Sequence, residues 1–402
     1  MLLALLIAAA AAEPPPQQAP TIVVTGPRLQ DYRDRLAQCL ARRCPTNEDA
    51  DATLALAEAL FLNGDYHEGR AVVQASLRRN ARQAGAFPEP VSDLYRAHSR
   101  LSRHLGEDSD ARRSAFGILS ALQTGIPRED HRHFTARLEL SELLMNSGNL
   151  AGAKRELEQL ARIARAAGRE DVAIMAELRT LWFELLADNQ ADARARLTEM
   201  SRLTAPDQRL RAAGAKLLLA RLYRGEGQTE RADALLAEVG GAVNGARRRL
   251  LHAPPYQLQV LDHARVRDTV DSPGQNGGGP LALGNFNVTN VLMSLPDNFE
   301  DKWIDVGFWI MPDGRVAGLE ILRSRNNPDW ADPMIASMRG RVYSAGPEPT
   351  YRVERYTYTT GYERRTGTNI RRRSRAARVE YLDLTAPGQV TGPPPTADAP
   401  AN

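Results

Sequence analysis

The sequence predicts a chain of more than one domain, an all-α solenoid of stacked helix pairs followed by a small α+β unit of β-β-α-β order. Three observations predict it. Turn residues recur at a near-constant interval through the first 240 positions. The run Asp305 to Ser324 declares a strand, a tight turn and a second strand in succession. Glycine- and proline-rich breaks separate the two regions. The chain has 402 residues, 43% apolar and 25% charged, which is enough for two or three cores with an ordinary globular balance. A net charge of +3 points to no particular partner.

Residues 1–12 are apolar throughout and end in Ala10-Ala11-Ala12 before Glu13. This reads as a signal-peptide core with a small-residue cleavage site. Twelve residues fall short of the roughly 20 that span a bilayer as a helix, and no later apolar stretch reaches that length. The expected mature protein is exported and has no integral membrane segment; the other reading keeps the segment uncleaved as an anchor. Residues 13–30 begin with the proline-rich EPPPQQAP and are expected to stay disordered. Within them, Ile22, Val23, Val24 and Thr25 form a short strand-prone run. It reads as a strand or linker, and it also resembles the TonB box of outer-membrane receptors.

The only cysteines, Cys39 and Cys44, have C-x4-C spacing. Pro45 stops the helix and leaves Cys44 free to turn back, so a disulfide staple is expected rather than a redox pair, which would use C-x-x-C. From residue 31 to 245 the pattern is helical. Its turns fall at Gly64, Gly106, Gly148, Asn189 and Gly227, at intervals of 42, 42, 41 and 38 residues. Five units at such a period predict a solenoid rather than a bundle. Phe87-Pro88-Glu89-Pro90, Gly125-Ile126-Pro127 and Ala205-Pro206 are the expected breaks between units.

Within the units, Leu56, Ala57, Leu60, Gly64, Tyr66 and Val73 resemble a tetratricopeptide repeat. So do Ser141, Leu144, Gly148, Leu150, Ala153 and Leu157, and again Leu219, Ala220, Tyr223, Gly227, Ala232 and Leu236. The resemblance implies paired helices and a concave surface for a peptide or protein. The period of about 40 exceeds the roughly 34 usual for the family, which implies longer helices or loops.

Residues 246–297 read as a linker. GQNGGGP at 274–280 is a connection, and Leu281 to Ser294 is apolar enough to pack as a strand. In residues 298–385, Val306, Phe308 and Ile310 alternate with Gly307 and Trp309. Pro312-Asp313-Gly314 supplies the turn, and Ala317, Leu319 and Ile321 alternate on the second strand. Ala331, Ile335, Met338 and Val342 then make one helical stripe, and the strand-prone Tyr351 to Thr360 follows.

This β-β-α-β order, with Asp313, Gly314, Arg315 and Val316 opening the second strand and Arg323-Ser324 closing it, resembles the C-terminal domain of TonB-type energy transducers. The resemblance covers about residues 298–360. It implies strand addition of a peptide to an open sheet edge, and a periplasmic setting. By chain order the receiving edge strand is expected at Tyr351, Val353, Arg355, Tyr356, Thr357 and Tyr358. The implied partners are a protein or peptide, including a TonB-dependent outer-membrane receptor or a transducer; a membrane-anchored transducer is the alternative function.

Glu363 to Glu380 carries seven arginines and is expected in or beside a solvent-facing hairpin loop. Phosphorylated lipid heads, an acidic partner or solvent alone would suit it. An exported address argues against nucleic acid. Residues 386–402 are proline- and alanine-rich and are expected to be disordered. H-E-x-x-H, G-x-S-x-G and the glycine-rich phosphate loops are absent. Asp130-His131-Arg132-His133 suggests either a helix start capped by Asp130 or a metal site, and the first is favoured. The sequence therefore leads to a non-enzymatic, cofactor-free interaction protein.

Overall fold

The computed structural model describes residues 28–186, 190–239, 248–256, 258, 302–364 and 371–385. Residues 1–27, the run Leu281 to Ser294, Asn189 and the tail beyond Thr385 lie outside the described residues.

Eleven helices occupy residues 29–239 among the described residues. After α1 (Leu29–Ala41) they form pairs: α2 (Thr46–Asn63) with α3 (Tyr66–Asn80), α4 (Pro88–His104) with α5 (Asp108–Gln123), and α6 (His131–Asn146) with α7 (Leu150–Ala166). The pairs α8 (Glu170–Leu186) with α9 (Gln190–Ser201), and α10 (Arg209–Gly225) with α11 (Thr229–Val239), complete the array. Helices of 15 to 18 residues in the first three pairs account for the long period.

Four of the five turn positions read from the sequence are described, and all are left-handed glycines: Gly64, Gly106, Gly148 and Gly227, with φ of 86°, 73°, 76° and 78°. Each lets the next residue donate back to the carbonyl five positions earlier, as Asp65 does to Leu60 at 2.8 Å and Glu107 to Ser102 at 2.7 Å. Gly168, with φ of 71°, ends α7 between two pairs in the same way, a turn the spacing had not marked.

Leucines and alanines fill the seams between helices, as Leu140, Leu157, Ala173 and Ala176 do in the middle of the array. One buried polar knot joins α2 to α3. Asp49 accepts from Thr53, Ser76, Arg79 and Asn80 at 2.7 to 3.0 Å. Burial pushes its carboxyl up, but those bonds outweigh burial and hold it below its ordinary value. Cys39 and Cys44 are joined across the α1–α2 turn with Cα atoms 5.2 Å apart, and Pro45 starts α2.

The α+β unit holds β1 (Leu250–His252), β2 (Trp303–Ile310), β3 (Val316–Arg325), α12 (Asp332–Arg339), β4 (Val342–Tyr343), β5 (Thr350–Arg364) and β6 (Arg371–Asp383). Its main sheet has the order β3-β2-β5-β6, antiparallel throughout. Gly314, with φ of 86°, and an Asp313 side chain accepting from Arg315 N–H at 2.9 Å close the β2–β3 turn. Ile304, Val306, Phe308 and Ile310 meet Trp330, Met334, Ile335 and Met338 in one core with Tyr356 and Tyr358.

Two expectations are corrected here. The helix ends at Arg339, so Val342 leaves the helical stripe and lies in β4, paired with β1. Residues 246–297 are not only a linker. Buried Arg248 donates to the carbonyls of Ser344 and Glu348, so the α+β unit reaches back at least to that residue, and β1 also lies against α10.

Candidate interaction surface

Successive strand residues point to opposite faces, so the side of the sheet away from α12 carries Trp303, Asp305, Gly307 and Trp309 on β2 and Tyr351, Val353, Arg355, Thr357 and Thr359 on β5. The middle of this face docks on the turns of the first two helix pairs. Arg355 is fully buried. Its Nε donates to Asp305 Oδ1 at 2.6 Å and its Nη2 to Asp305 Oδ2 and to Leu62 O, each at 2.9 Å; its Nη1 donates to Phe61 O. The guanidinium lies 3.8 Å from the centroid of the Trp303 ring. Phe61 and Leu62 belong to the last turn of α2, where carbonyls lack intrahelical partners and a cation is favoured.

The second turn is held by the same chemistry. Arg373 donates to Leu105 O at 3.0 Å, Arg378 to Asp108 at 2.9 Å, and Arg103 reaches Glu380 at 2.7 Å. Between the turns, Thr357 Oγ1 meets Tyr66 Oη at 3.1 Å and His104 Nδ1 at 2.8 Å. Burial, then the charges of Arg103 and Arg355, push the His104 imidazole down to about 3. His98, one helical turn and a half earlier on α4, is pushed down to about 4 by burial and the charge of Arg70. A side chain on Gly64 would strike Trp303, and one on Gly106 would strike Thr360 O, so both turn glycines also admit the sheet.

This geometry corrects the assignment of Tyr351, Val353, Arg355, Tyr356, Thr357 and Tyr358 as an open edge. β5 is interior, bonded to β2 on one side and β6 on the other. Arg355 and Thr357 face the helices, whereas Tyr356 and Tyr358 face α12. The physical reason is β6, which folds back along the free side of β5. The arginine-rich stretch is corrected with it: Arg373 and Arg378 lie on a strand and bond to α4 and α5 rather than pointing to solvent from a loop. The Ile22, Val23, Val24 and Thr25 run lies outside the described residues.

The outer strands are β3 and β6. β3 is exposed along most of its length, with Ile321 and Leu322 each at 41%. Its pairing with β2 shifts twice, so Arg323 opposes Asp305 while Ile321 opposes Val306, and Glu320 opposes Gly307 while Ala317 opposes Trp309. Each shift inserts an extra residue in β3, which is why Ala317 comes opposite the outward-facing Trp309 and breaks the expected alternation with Ile321.

Asp130 caps α6 by accepting from Arg132 N–H at 2.9 Å, and His133 is buried with its Nε2 3.1 Å from Ile126 O, which fits the helix start. Cys39, Cys44 and Glu48 lie close together, but both sulfurs are spent in the disulfide, leaving no thiolate for a metal. Along the array, a groove of about 690 Å³ between α8, α9 and α10 is lined by Leu185, Arg194, Thr198, Arg202, Leu222 and Glu226. Among the described residues no helix is long and apolar enough to cross a membrane.

Paired helices in series with an α+β unit seated on their turns define a helical-repeat protein with a small-sheet region. Among solved structures, the chain is similar to BtubC (BKLC) from P. vanneervenii, at 11% identity and a TM-score of 0.39, over 63% of this chain and 95% of that one. It is also similar to two structures of nearly identical TPR-like repeats from Podosopora anserina, one of them a Q17M variant. These show 17% and 15% identity, both with TM-scores of 0.36, over 47% and 48% of this chain and 92% and 97% of theirs. No family model and no curated protein matches the chain.

Sequence reasoning missed Asp305, Trp303 and His104 as parts of the docked interface. A signal for the first existed: a carboxylate in an apolar strand and an arginine in another strand are each costly unless they meet.

Proposed function

We propose that this chain is a non-enzymatic interaction protein of the exported compartment, in which the helical repeats hold a protein partner and the TonB-like unit takes an extended peptide by strand addition at β3. The observation that carries the reading is the exposure of β3, an outer strand bonded only to β2 among the described residues. Main-chain pairing there would supply affinity, and the exposed Ile321 and Leu322 would supply selectivity. The two bulges shorten the ladder an incoming strand can build, so the expected complex is weak and selective rather than tight. The tetratricopeptide-like spacing of small residues supports a protein-binding role for the array.

The test uses the full chain, titrated with a synthetic peptide covering residues 19–29 and with a scrambled control, following backbone amide shifts. Saturable shifts confined to β3 are expected. The double change Ile321→Asp, Leu322→Asp, on side chains that already face solvent, should weaken binding by about tenfold, or ~1.4 kcal/mol. Shifts that spare β3 would refute strand addition and direct attention to the α8–α10 groove.

A further inference from the structure

Beyond the docked part of the sheet, the same face ends in an apolar step. Trp309 and Tyr351 are register partners with ring centroids 5.1 Å apart and planes inclined at 53°. Gly307 has no side chain, and the Tyr351 hydroxyl and Leu322 Cδ1 close over it. Trp309 and Tyr351 are half-buried and Leu322 is exposed. The rim carries Glu320, which accepts from the Tyr351 hydroxyl at 3.4 Å.

The chain itself is delivered to this step. β6 brings Asp383 opposite Glu354, after which Leu384 N–H donates to Val353 O at 2.8 Å and Val353 N–H donates to Thr385 Oγ1 at 3.1 Å. Because β5 and β6 are antiparallel, the chain from Asp383 to Thr385 runs along β5 toward Tyr351. Residues 386–402 contain Pro387, Pro393, Pro394, Pro395 and Pro400, and Asp398 is their one ionisable side chain. Pro393 lies eight positions beyond Thr385, about 25 Å at the roughly 3.1 Å per residue of an extended chain, so the run can reach across neighbouring strands. Proline runs lose little conformational freedom on binding and present flat apolar rings, which is why aromatic grooves take them up.

We propose that Trp309 and Tyr351 form a docking site for this chain's own Pro393-Pro394-Pro395 segment. The rings that form the site stand on β2 and β5 and not on the β3 edge, and its test leaves Ile321 and Leu322 unchanged, so it stands or falls independently of strand addition. The occupant is internal because its attachment point lies two residues along β5 from Tyr351.

The experiment is acrylamide quenching of Trp309 fluorescence in the full chain, with Trp182, Trp303 and Trp330 removed from the signal by difference against Trp309→Phe. Replacing Pro393, Pro394 and Pro395 together by alanine is expected to raise the quenching constant of Trp309 about threefold, as expected when a stacked ring is lost. Excess free peptide covering residues 386–402 should then restore protection. These changes alter no residue of the helices or the sheet, so loss of structure does not cloud the result. Equal quenching before and after the triple substitution overturns the proposal. Protection that fades on dilution overturns it too, by assigning the segment to a neighbouring molecule.

Discussion

Arg355 shows how much one side chain can organise. Its guanidinium joins β5 to β2 through Asp305, and joins the sheet to the helices through Phe61 O and Leu62 O. Taking such a group out of water is tolerable only because every direction it points in holds an acceptor. Arg355→Met is therefore expected to destabilise the protein by about 3–5 kcal/mol, since Asp305 is left buried with Arg323 as its remaining ionic partner. Arg355→Lys should recover little of that, because an ammonium lacks the planar fork that spans a carboxylate and two carbonyls. Urea unfolding of the three proteins measures it; a loss under about 1 kcal/mol for Arg355→Met would mean the pair is not holding the docked state. Both charges were visible in the sequence, at alternating positions of strand-like runs. Their meeting was not, because period-two patterning fixes which face a residue takes but leaves the order of strands open.

At the level of elements, the turn glycines fall into two groups that look alike in sequence. Gly64 and Gly106 have the sheet against them, whereas nothing stands within 4 Å of where a side chain would sit on Gly148 or Gly227. Gly148→Ala and Gly227→Ala should each cost only the left-handed backbone penalty, about 1–2 kcal/mol. Gly106→Ala should cost more than either and should also release the sheet from α4, exposing the α4–α5 turn to protease. Equal costs at Gly106 and Gly148, with equal proteolysis, would contradict the docking described here. The glycine ladder was the most legible part of the chain, since each left-handed position demands one residue type and repeats at a fixed interval. The docked group could not be separated from the free one, because what touches Gly64 arrives from 239 positions later, at Trp303.

The whole molecule inherits an acid sensitivity from two histidines on α4. His104, faced by Arg103, Arg355 and Arg378, and His98, faced by Arg70 and Asp110, stay neutral in the fold down to about 3 and 4. In the unfolded chain both protonate near 6.5. Their contribution is fully present above 6.5. As pH falls from there toward 4 the unfolded chain takes up protons that the fold refuses, and stability drops. Each histidine adds a slope approaching about 1.4 kcal/mol per pH unit. Urea midpoints should fall between about pH 7 and 5, and His104→Gln should flatten that dependence; a midpoint unchanged over this range would refute the burial of both rings.

At this scale the sequence was read well for class and poorly for arrangement. Composition and periodicity distinguish helix pairs from strands, but they do not say that β6 would take the side of β5 read as open, or that β1 would be drawn out of a presumed linker.

The small unit touches the array at two separated places: the turns of the first two pairs through Arg355, Arg373 and Arg378, and the penultimate helix through β1. A stack of helix pairs left to itself bends and twists like a spring, each pair yielding a little. Here Arg248 hooks β1 to the segment after β4, and the sheet spans the arc as a chord fixes the opening of a bow. Such a strut would hold the two ends of the array at one span, and force applied to the sheet would be felt at both of them at once.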